Sequence, residues 1–339
     1  MKNSNNNITT HTLSFINEKR PSVLIEGETF AKALEAYVKD HKDLQYADLR
    51  YQGLKDICLQ NVDLRNANLL NADLLNADLS HANLRYTTLQ CACLENANLL
   101  EADLLDADLR HANLCHAVLQ GANLQYTYLQ YASLQNATLQ GANLQYADLQ
   151  DVEMQFANLR EVNLQDTCLQ GANLQGVNLF KANIKYSNLQ DIYLQDADLQ
   201  EADLQNSIMR NANLQDADLR GTCLQGVDLQ FADLQGANLQ GANLRNANIK
   251  YVSLQGTYLQ DAKLQGANLD FSTFPLSNSS LSMKIDKQLF CQLLYHVARV
   301  GQSVDDAEVK ALLNSDEVLN LVNQFHRADN FGFGKIEKK

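Results

Sequence analysis

Three cysteines and one histidine that could bind a soft metal lie close together in the sequence, namely Cys91, Cys93, Cys115 and His111. Structural zinc takes such ligands, but it needs four of them in tetrahedral geometry. The spacing matches no paired zinc motif, and the remaining cysteines are scattered. We therefore predict no metal site and no cofactor, with a zinc or redox site at this cluster as the alternative.

No other group of residues in the sequence has the spacing of a catalytic site. The seven histidines show no triad spacing, and no glycine-rich phosphate loop is present. The chain has 40 acidic residues, but the repeat described below turns those of the rod toward solvent. Since catalysis usually requires polar groups in a dry concave pocket, we predict that the protein is not an enzyme and has no catalytic residues.

A large apolar residue occupies every fifth position from Leu44 to Phe274 without an insertion or deletion. Two residues before most of these centres stands a small residue, usually alanine. A period of five fits neither a helix nor an ordinary strand. The chain must therefore turn a corner every five residues, with the centre and the small residue pointing inward.

The repeats Ala72-Asp73-Leu74 and Ala237-Asn238-Leu239 follow the pattern A-(D/N)-L-x-x. This pattern resembles that of the pentapeptide-repeat family, whose members form right-handed quadrilateral β-helices. The resemblance implies an all-β solenoid with four pentapeptides in each coil. About 12 coils stacked at the strand spacing of ~4.8 Å would make a rod of roughly 55 Å.

The flanking segments differ from the rod in composition and period. Residues 1–27 are predicted to be a disordered or extended tail, with residues 1–20 mobile, and residues 28–43 to be a capping helix over Glu28 to about Asp40. The β-helix covers residues 44–275, where Pro275 removes a ladder donor. Residues 276–339 should form three helices, with Ser303 and Ser315 as N-caps of the second and third. They cap the last coil or, alternatively, dock a partner or form a homodimer.

The net charge of −13 lies entirely on the rod. We number the four outer faces by their centres, with face one containing Leu44, face two Leu49, face three Leu54 and face four Leu59. Faces one and two carry 6 acidic against 6 basic and 7 against 4 residues, whereas faces three and four carry 7 against 1 and 7 against 3. Two adjacent faces are therefore strongly acidic.

Tyrosine and arginine concentrate on faces one and two, and these residue types dominate binding hot spots. Tyrosines in successive coils could instead be a stabilising ladder, and both interpretations stay open. Glutamine follows the centre in 26 of the 47 repeats and is expected to form amide ladders. The candidate partner-binding residues are Tyr86, Arg110, Tyr126, Tyr131, Tyr146, Tyr186 and Arg210.

These patterns favour a non-enzymatic scaffold that binds a protein partner. The alternative is a DNA mimic that binds a topoisomerase such as DNA gyrase, as the resemblance implies for some family members. Direct nucleic-acid binding and membrane insertion are not expected, because the rod is acidic and no apolar run approaches 18 residues. Without a signal-like start, a cytoplasmic location is expected, and export to a host cell stays open.

Overall fold

A computed structural model describes residues 8–17, 19–269, 272, 290, 294 and 315–322. Strands β1 (Thr9–Phe15) and β2 (Val23–Gly27) precede helix α1 (Phe30–Asp40), and the two-residue strand β3 (Ala47–Asp48) opens the repeats. A second helix, α2, covers Asp316–Val322. From β3 to residue 269 the described chain is a solenoid of single-residue bridges.

The solenoid closes every 20 residues. Parallel bridges join each outward residue before a centre to its equivalent 20 positions later, in an unbroken series that begins with Asp43 and Asp63 and ends with Asn248 and Asn268. Four pentapeptides therefore make one coil, and each residue stands directly above its counterpart in the next coil. The four outer faces defined from the sequence therefore correspond to the four sides of the rod.

The backbone N–H groups of one repeat are all satisfied, as the repeat around Leu144 illustrates. Leu144 and Tyr146 donate to the next coil, Asn143 donates to the preceding coil, and Ala147 donates to the Leu144 carbonyl across the corner at 2.9 Å. The fifth N–H, that of Gln145, donates to Oδ1 of Asn143 at 3.2 Å. An aspartate or asparagine before the centre is thus favoured by hydrogen bonding, because its side chain accepts the one N–H that the backbone leaves without a partner.

Each corner is a turn whose second residue has a left-handed backbone. Every fifth residue from Tyr46 to Gly266 has φ between 51° and 73°. The hydrogen bond across the corner and the positive φ together define a type II turn, which favours glycine and asparagine at this position. Aromatic and charged residues also occur there, at a cost of roughly 1–2 kcal/mol each. The stack must compensate for that cost.

The interior is a continuous ladder of leucine and alanine. The centres from Leu44 to Leu269 and the alanines two residues earlier are buried, and nearly all are fully so. Threonine replaces alanine at several inward positions, and its hydroxyl then donates to a turn carbonyl, as Thr127 does to Leu124 at 2.7 Å. These polar substitutions therefore leave no unpaired group in the core.

The N-terminal segment is extended over residues 8–17 and 19–27, as one of the two alternatives anticipated, and within these described residues it is an ordered hairpin and not the mobile segment expected for residues 1–20. Strand β1 pairs antiparallel with β2 on one side and with β3 on the other, in the order β2-β1-β3. Leu13 and Ile25 are buried, and Gly27 lets β2 approach α1 so closely that a Cβ would lie 2.6 Å from the Ala33 nitrogen. The polar composition concealed this hairpin, because only these few apolar side chains hold it against the helix.

The hairpin and α1 together close the first edge of the solenoid. Arg20 donates to the carbonyls of Asp43 at 2.7 Å and Gln45 at 2.9 Å, and the Cys58 N–H donates to Glu35 of α1 at 3.0 Å. These are groups that a preceding coil would otherwise satisfy. An open edge invites pairing with another chain, so this cap protects the rod against fibre growth.

The opposite end lies mostly outside the described residues. The expected stop at Pro275 and the second C-terminal helix fall there, as does the first helix except for Phe290 and Leu294, which are helical. Helix α2 begins after Ser315, whose Oγ accepts the Val318 N–H at 3.3 Å, so this serine is the N-cap that its sequence position indicated.

Replacing Leu174 with aspartate should unfold the coils around it. Leu174 is fully buried, and an unpaired carboxylate in that position destabilises by several kcal/mol. Circular-dichroism melting should therefore show a large fall in melting temperature. Gln175→Asp, one residue outward, is the matched control and should melt nearly like the wild type. Equal melting of the two variants would contradict the inward assignment.

Candidate partner-binding surface

Side chains at the corners point along the rod toward the next coil. We call the set of every twentieth residue from Tyr46 to Gly266 corner column one, and the set from Tyr51 to Tyr251 corner column two. These columns border face two on its two sides. In column one the rings of Tyr126 and Tyr146 stack with centroids 4.9 Å apart and planes inclined by 17°. Their faces are occupied by each other, so only their rims and hydroxyls can contact a partner.

Tyr131 is not stacked on another candidate residue. Its ring lies against His111 in column two, with centroids 5.1 Å apart and planes inclined by 7°. Further along the same column Phe231 and Tyr251 stack at 4.9 Å. Face two is therefore flanked by aromatic stacks on both sides.

Tyr86 and Tyr186 stand apart from the Tyr126 and Tyr146 stack, although they share its column. Asp106 and Asp166 occupy the intervening corners. Both tyrosines are exposed, and the guanidinium of Arg85 lies 5.7 Å from the Tyr86 ring centroid. The structure thus divides the candidate column into one central pair and two isolated rings.

Arg110 is held by a bidentate ion pair. Its Nε donates to Oδ1 of Asp108 at 2.9 Å, and its Nη2 donates to Oδ2 at 2.6 Å. The guanidinium also lies 6.0 Å from the ring centroid of Tyr128. The hydrogen bonds that Arg110 donates to Asp108 raise the pKa of Arg110. Burial alone would raise the pKa of Asp108, but the hydrogen bonds from Arg110 outweigh it and hold that pKa below 3.8.

Arg210 has a different partner, because no aspartate precedes it by two residues. Its Nε donates to Oδ2 of Asp228 in the next coil at 2.6 Å. Both candidate arginines are therefore neutralised locally, while about half of each side chain stays exposed. They offer a partner preorganised guanidinium groups in a surface of nearly balanced charge.

The candidate surface is built twice along the rod. Tyr86 and Tyr186 are 100 residues apart, as are Arg110 and Arg210, so each pair is separated by five coils or about 24 Å. Ion pairs on face one recur at the same interval, namely Arg85 with Asp103 at 3.8 Å and Lys185 with Asp203 at 2.8 Å. One constellation therefore appears at two heights on the same side of the molecule.

Two features of this surface were missed in the choice of candidate residues. Tyr128 lies in the middle of face two, between the two stacks, and was not among the candidate residues. The triplet Asp-Leu-Arg ending at Arg110 also carried a readable signal, since residues two apart in a strand share a face. The same triplet holds Arg50, Arg65 and Arg220 on their own aspartates.

The expected glutamine ladders are largely replaced by glutamine–aspartate bonds between coils. Gln90 donates to Asp108 at 2.6 Å and Gln130 donates to Asp148 at 2.5 Å. An amide ladder forms instead among asparagines before the centres, where Asn183 donates to Asn163 and Asn163 to Asn143, both at 3.0 Å. Many carboxylates of the rod are therefore hydrogen-bonded within the stack.

The cysteine cluster is drawn into other contacts. His111 stacks on Tyr131, and the Cys115 sulfur lies 3.0 Å from the Ser133 hydroxyl. Among the described residues, no three His, Cys, Asp or Glu side chains are grouped so as to hold a metal ion. In the same part of the chain, no helix is long and apolar enough to cross a bilayer.

A shallow groove of about 440 Å³ runs along the corner between faces three and four. Its lining consists of glutamine amides, two glycines and the carboxylate of Asp216, with no histidine or cysteine. These groups can hydrogen-bond a surface but include no nucleophile with a neighbouring base. The groove therefore offers no catalytic constellation.

The ion pair of Asp108 and Arg110 should make a pH-dependent contribution to stability. Because the pKa of Asp108 is lowered on folding, the contribution is present above its ordinary pKa of 3.8 and is lost as the pH falls through the lower folded value. At pH ~7, Arg110→Met should reduce the free energy of unfolding by less than about 1 kcal/mol, because solvent screens the ion pair. The melting temperature should therefore fall only slightly. At pH ~2 the variant and wild type should melt alike. An equal difference at both pH values would show that charge is not the cause.

Comparison with known proteins identifies the repeat. The family model for pentapeptide repeats matches in 8 copies over residues 57–90, 87–121, 117–155, 157–196, 187–226 and 227–266. No curated protein matches the sequence.

Solved structures of repeat proteins are similar to this chain. HetL, a pentapeptide-repeat protein involved in heterocyst differentiation regulation in the cyanobacterium Nostoc sp. strain PCC 7120, is 31% identical, and the match covers 72% of this chain and 98% of HetL with a TM-score of 0.42. QnrB1, a plasmid-mediated fluoroquinolone resistance protein, is 15% identical, with 62% of this chain and 95% of that chain covered at a TM-score of 0.40. Rfr23, a pentapeptide-repeat protein from the cyanobacterium Cyanothece 51142, is 29% identical over 40% of this chain and 88% of its own, with a TM-score of 0.21. With the family model matched over more than half of its length, the chain belongs to the pentapeptide-repeat family.

Proposed function

We propose that the protein is a non-enzymatic scaffold that binds a protein partner through the tyrosine and arginine surface around face two. The proposal rests on the surroundings of face two. Stacked aromatic rings border this face on both sides, and ion pairs hold Arg110 and Arg210 in place on a rigid backbone. Contacts on such a surface need little ordering on binding, which favours affinity. Tyrosine and arginine are also the residue types that carry most hot-spot energy.

The interior of the rod and the state of its cysteines also support a non-enzymatic scaffold. Within described residues 44–269 the interior is filled with buried leucine and alanine, which is the composition of a packed core and not of a polar substrate site. The six cysteines in the described part of the chain are unpaired, which is the usual state in a reducing compartment, and we place the protein in the cytoplasm before any export.

Partner capture should depend on the central aromatic pair. The test uses the immobilised full chain, partner identification by mass spectrometry, and the combined variant Tyr126→Ala, Tyr146→Ala and Arg110→Ala. If these residues form a hot spot, the variant should bind the captured partner more weakly by over ~2 kcal/mol, because a well-packed anchor is lost.

The matched control neutralises the opposite side with Asp196→Asn, Asp216→Asn and Glu201→Gln. These changes should mainly slow association and reduce its salt dependence. If the tyrosine and arginine variant folds and binds normally while the acidic-face variant loses binding, the tyrosines are only a stacking ladder and the proposal fails.

A second candidate function is mimicry of duplex DNA toward a topoisomerase such as DNA gyrase. The concentration of 10 net negative charges on the adjacent faces three and four favours it. The charge is weak for that role, since duplex DNA of ~55 Å carries about 32 phosphates at one per ~1.7 Å. Several of the rod's carboxylates are also hydrogen-bonded to neighbouring glutamines.

We expect the purified protein neither to inhibit gyrase supercoiling nor to protect the enzyme from a quinolone at micromolar concentration. The physical reason is that its charge density is well below that of DNA. Inhibition that disappears when Asp73, Glu153, Asp196, Asp216 and Asp233 of face three are neutralised would instead make mimicry the function. Loss of inhibition on changing Tyr126 and Tyr146 alone would not.

A further inference from the structure

We infer that Arg160 forms an anion site on face four, which receives the carboxylate of an acidic protein segment. The inference goes beyond the proposed function, because face four lies on the side of the rod opposite to face two. A scaffold with both sites can hold two proteins at once.

Arginines of the rod take a carboxylate from one of two places. One is the residue two positions earlier on the same face, and the other is the residue 18 positions later in the next coil. Six arginines are paired in one of these ways, namely Arg50, Arg65, Arg85, Arg110, Arg210 and Arg220. Arg245 donates instead to the amide of Gln265 at 3.1 Å.

Arg160 has an asparagine in both places. Asn158 stands two positions earlier, and Asn178 stands 18 positions later. Within the described residues the Arg160 guanidinium has no ion pair and no hydrogen bond, and it lies over the ring of Phe180, 4.7 Å from the ring centroid. A guanidinium that stacks on a ring keeps its N–H groups available for a carboxylate.

Two amide donors accompany this guanidinium. Asn158 Oδ1 accepts the Arg160 N–H at 3.2 Å, and Asn178 Oδ1 accepts the Phe180 N–H at 3.1 Å. Each Nδ2 is therefore left on the other side of its amide, and among the described residues neither has an acceptor. Neither nitrogen belongs to the buried unpaired atoms of that part of the chain, so solvent reaches both. Free donors without a free acceptor are suited to an anion.

The local charge selects the kind of anion. Face four as a whole carries 7 acidic against 3 basic residues, but its central column has no acidic residue from Asn98 to Asn178. Near the site Lys181 pairs with Glu201 at 3.5 Å, and Glu161 forms no ion pair among the described residues. Two bases thus stand beside two acids. Such a neutral neighbourhood admits a carboxylate, with one charge, more readily than a phosphate group, with about two.

The shape of the surface selects a protein segment as the source of the carboxylate. Small acids bind in concave sites, whereas Arg160 lies on an outer side of the rod. Phe156, at the other edge of this side, is 63% exposed, and its ring covers Gly176. Four residues of extended chain, or about 13 Å, separate Phe156 from Arg160. An extended segment that crosses face four can therefore place an apolar side chain and a carboxylate on these two residues.

Phenylglyoxal, which modifies free guanidinium groups, tests the site in the folded full chain, with peptide mass spectrometry to follow each arginine. Arg160 should react about fivefold faster than Arg220, which lies in the same column but pairs with Asp218 at 2.6 Å. Sodium acetate should slow the reaction of Arg160 about threefold relative to sodium chloride at equal ionic strength, and it should leave Arg220 unchanged. Inorganic phosphate should protect Arg160 no better than acetate.

Two matched variants exchange the environments of these arginines. Asn178→Asp supplies Arg160 with the carboxylate that Asp228 supplies to Arg210, so Arg160 should then react as slowly as Arg220 and lose the acetate effect. Asp218→Asn leaves Arg220 with asparagines in both places, because Asn238 stands 18 positions later. Arg220 should then react faster. Circular-dichroism melting checks that each variant is folded.

A fluorescent synthetic peptide with leucine and glutamate four residues apart distinguishes a protein segment from a small acid. In fluorescence anisotropy it should bind the wild type about tenfold more tightly than Asn178→Asp, because the variant has no free guanidinium. The same peptide with glutamine in place of glutamate is the control, and it should bind both proteins equally weakly.

Equal reaction of Arg160 and Arg220 would overturn the inference, and so would protection by phosphate without protection by acetate. Protection by acetate without binding of the glutamate peptide would contradict the assignment to a protein segment. None of these results bears on the proposed function, which fails only if the tyrosine and arginine variant still captures its protein partner normally.

Discussion

The structure depends on the pairing of backbone hydrogen-bond donors between successive coils, which the repeat around Leu144 shows in its complete form. Three N–H groups of the repeat around Leu144 bind adjacent coils, one closes the corner, and one binds the side chain of Asn143. In this chain every side of the square coil forms backbone hydrogen bonds to the preceding coil and to the next coil. Because every coil is satisfied only by its neighbours, the two terminal coils become the weak points. The hairpin of β1 and β2 with α1 solves that problem at the first coil through Arg20, Glu35 and the pairing with β3.

The same closure decides what the surface can do. Corner residues with positive φ direct their side chains along the rod, so aromatic residues there stack and lose their faces as contact surface. Tyr126 and Tyr146 present rims and hydroxyls, a geometry that suits hydrogen-bonding protein surfaces better than the flat stacking of a sugar or a nucleobase. The left-handed backbone costs about 1–2 kcal/mol at each such residue. Stacking of neighbouring rings offsets part of that cost, so the ladder and the binding surface are two roles of one arrangement.

Electrostatics follows the repeat as well. An arginine two residues after an aspartate lies beside it on one face, and a glutamine reaches the aspartate of the next coil. Part of the negative charge is therefore paired or hydrogen-bonded within the stack. The remaining charge is distributed unevenly among the faces. Faces one and two together carry 13 acidic against 10 basic residues, compared with 14 against 4 on faces three and four, so another protein meets weaker repulsion on the side that holds Tyr128 and Ile208. The pair Arg85 and Tyr86 has an equivalent five coils further along the rod, the pair Lys185 and Tyr186. This second pair is an equivalent contact point at a distance of about 24 Å.

The sequence alone determined the solenoid, its inward residues and the separation of charge among the faces, because a strict period of five fixes which side chains point inward. It also determined which tyrosines share a column, although not that Tyr131 would stack on His111 or that Tyr86 would stand alone. Only the tertiary structure decided that Arg110 and Arg210 are held by Asp108 and Asp228 and that glutamine donates to aspartate in the next coil. These outcomes depend on side-chain reach between coils, which the residue types leave open. The N-terminal hairpin was likewise decided by tertiary contacts, since Leu13 and Ile25 are too few to mark a strand pair until α1 and the first coil bury them.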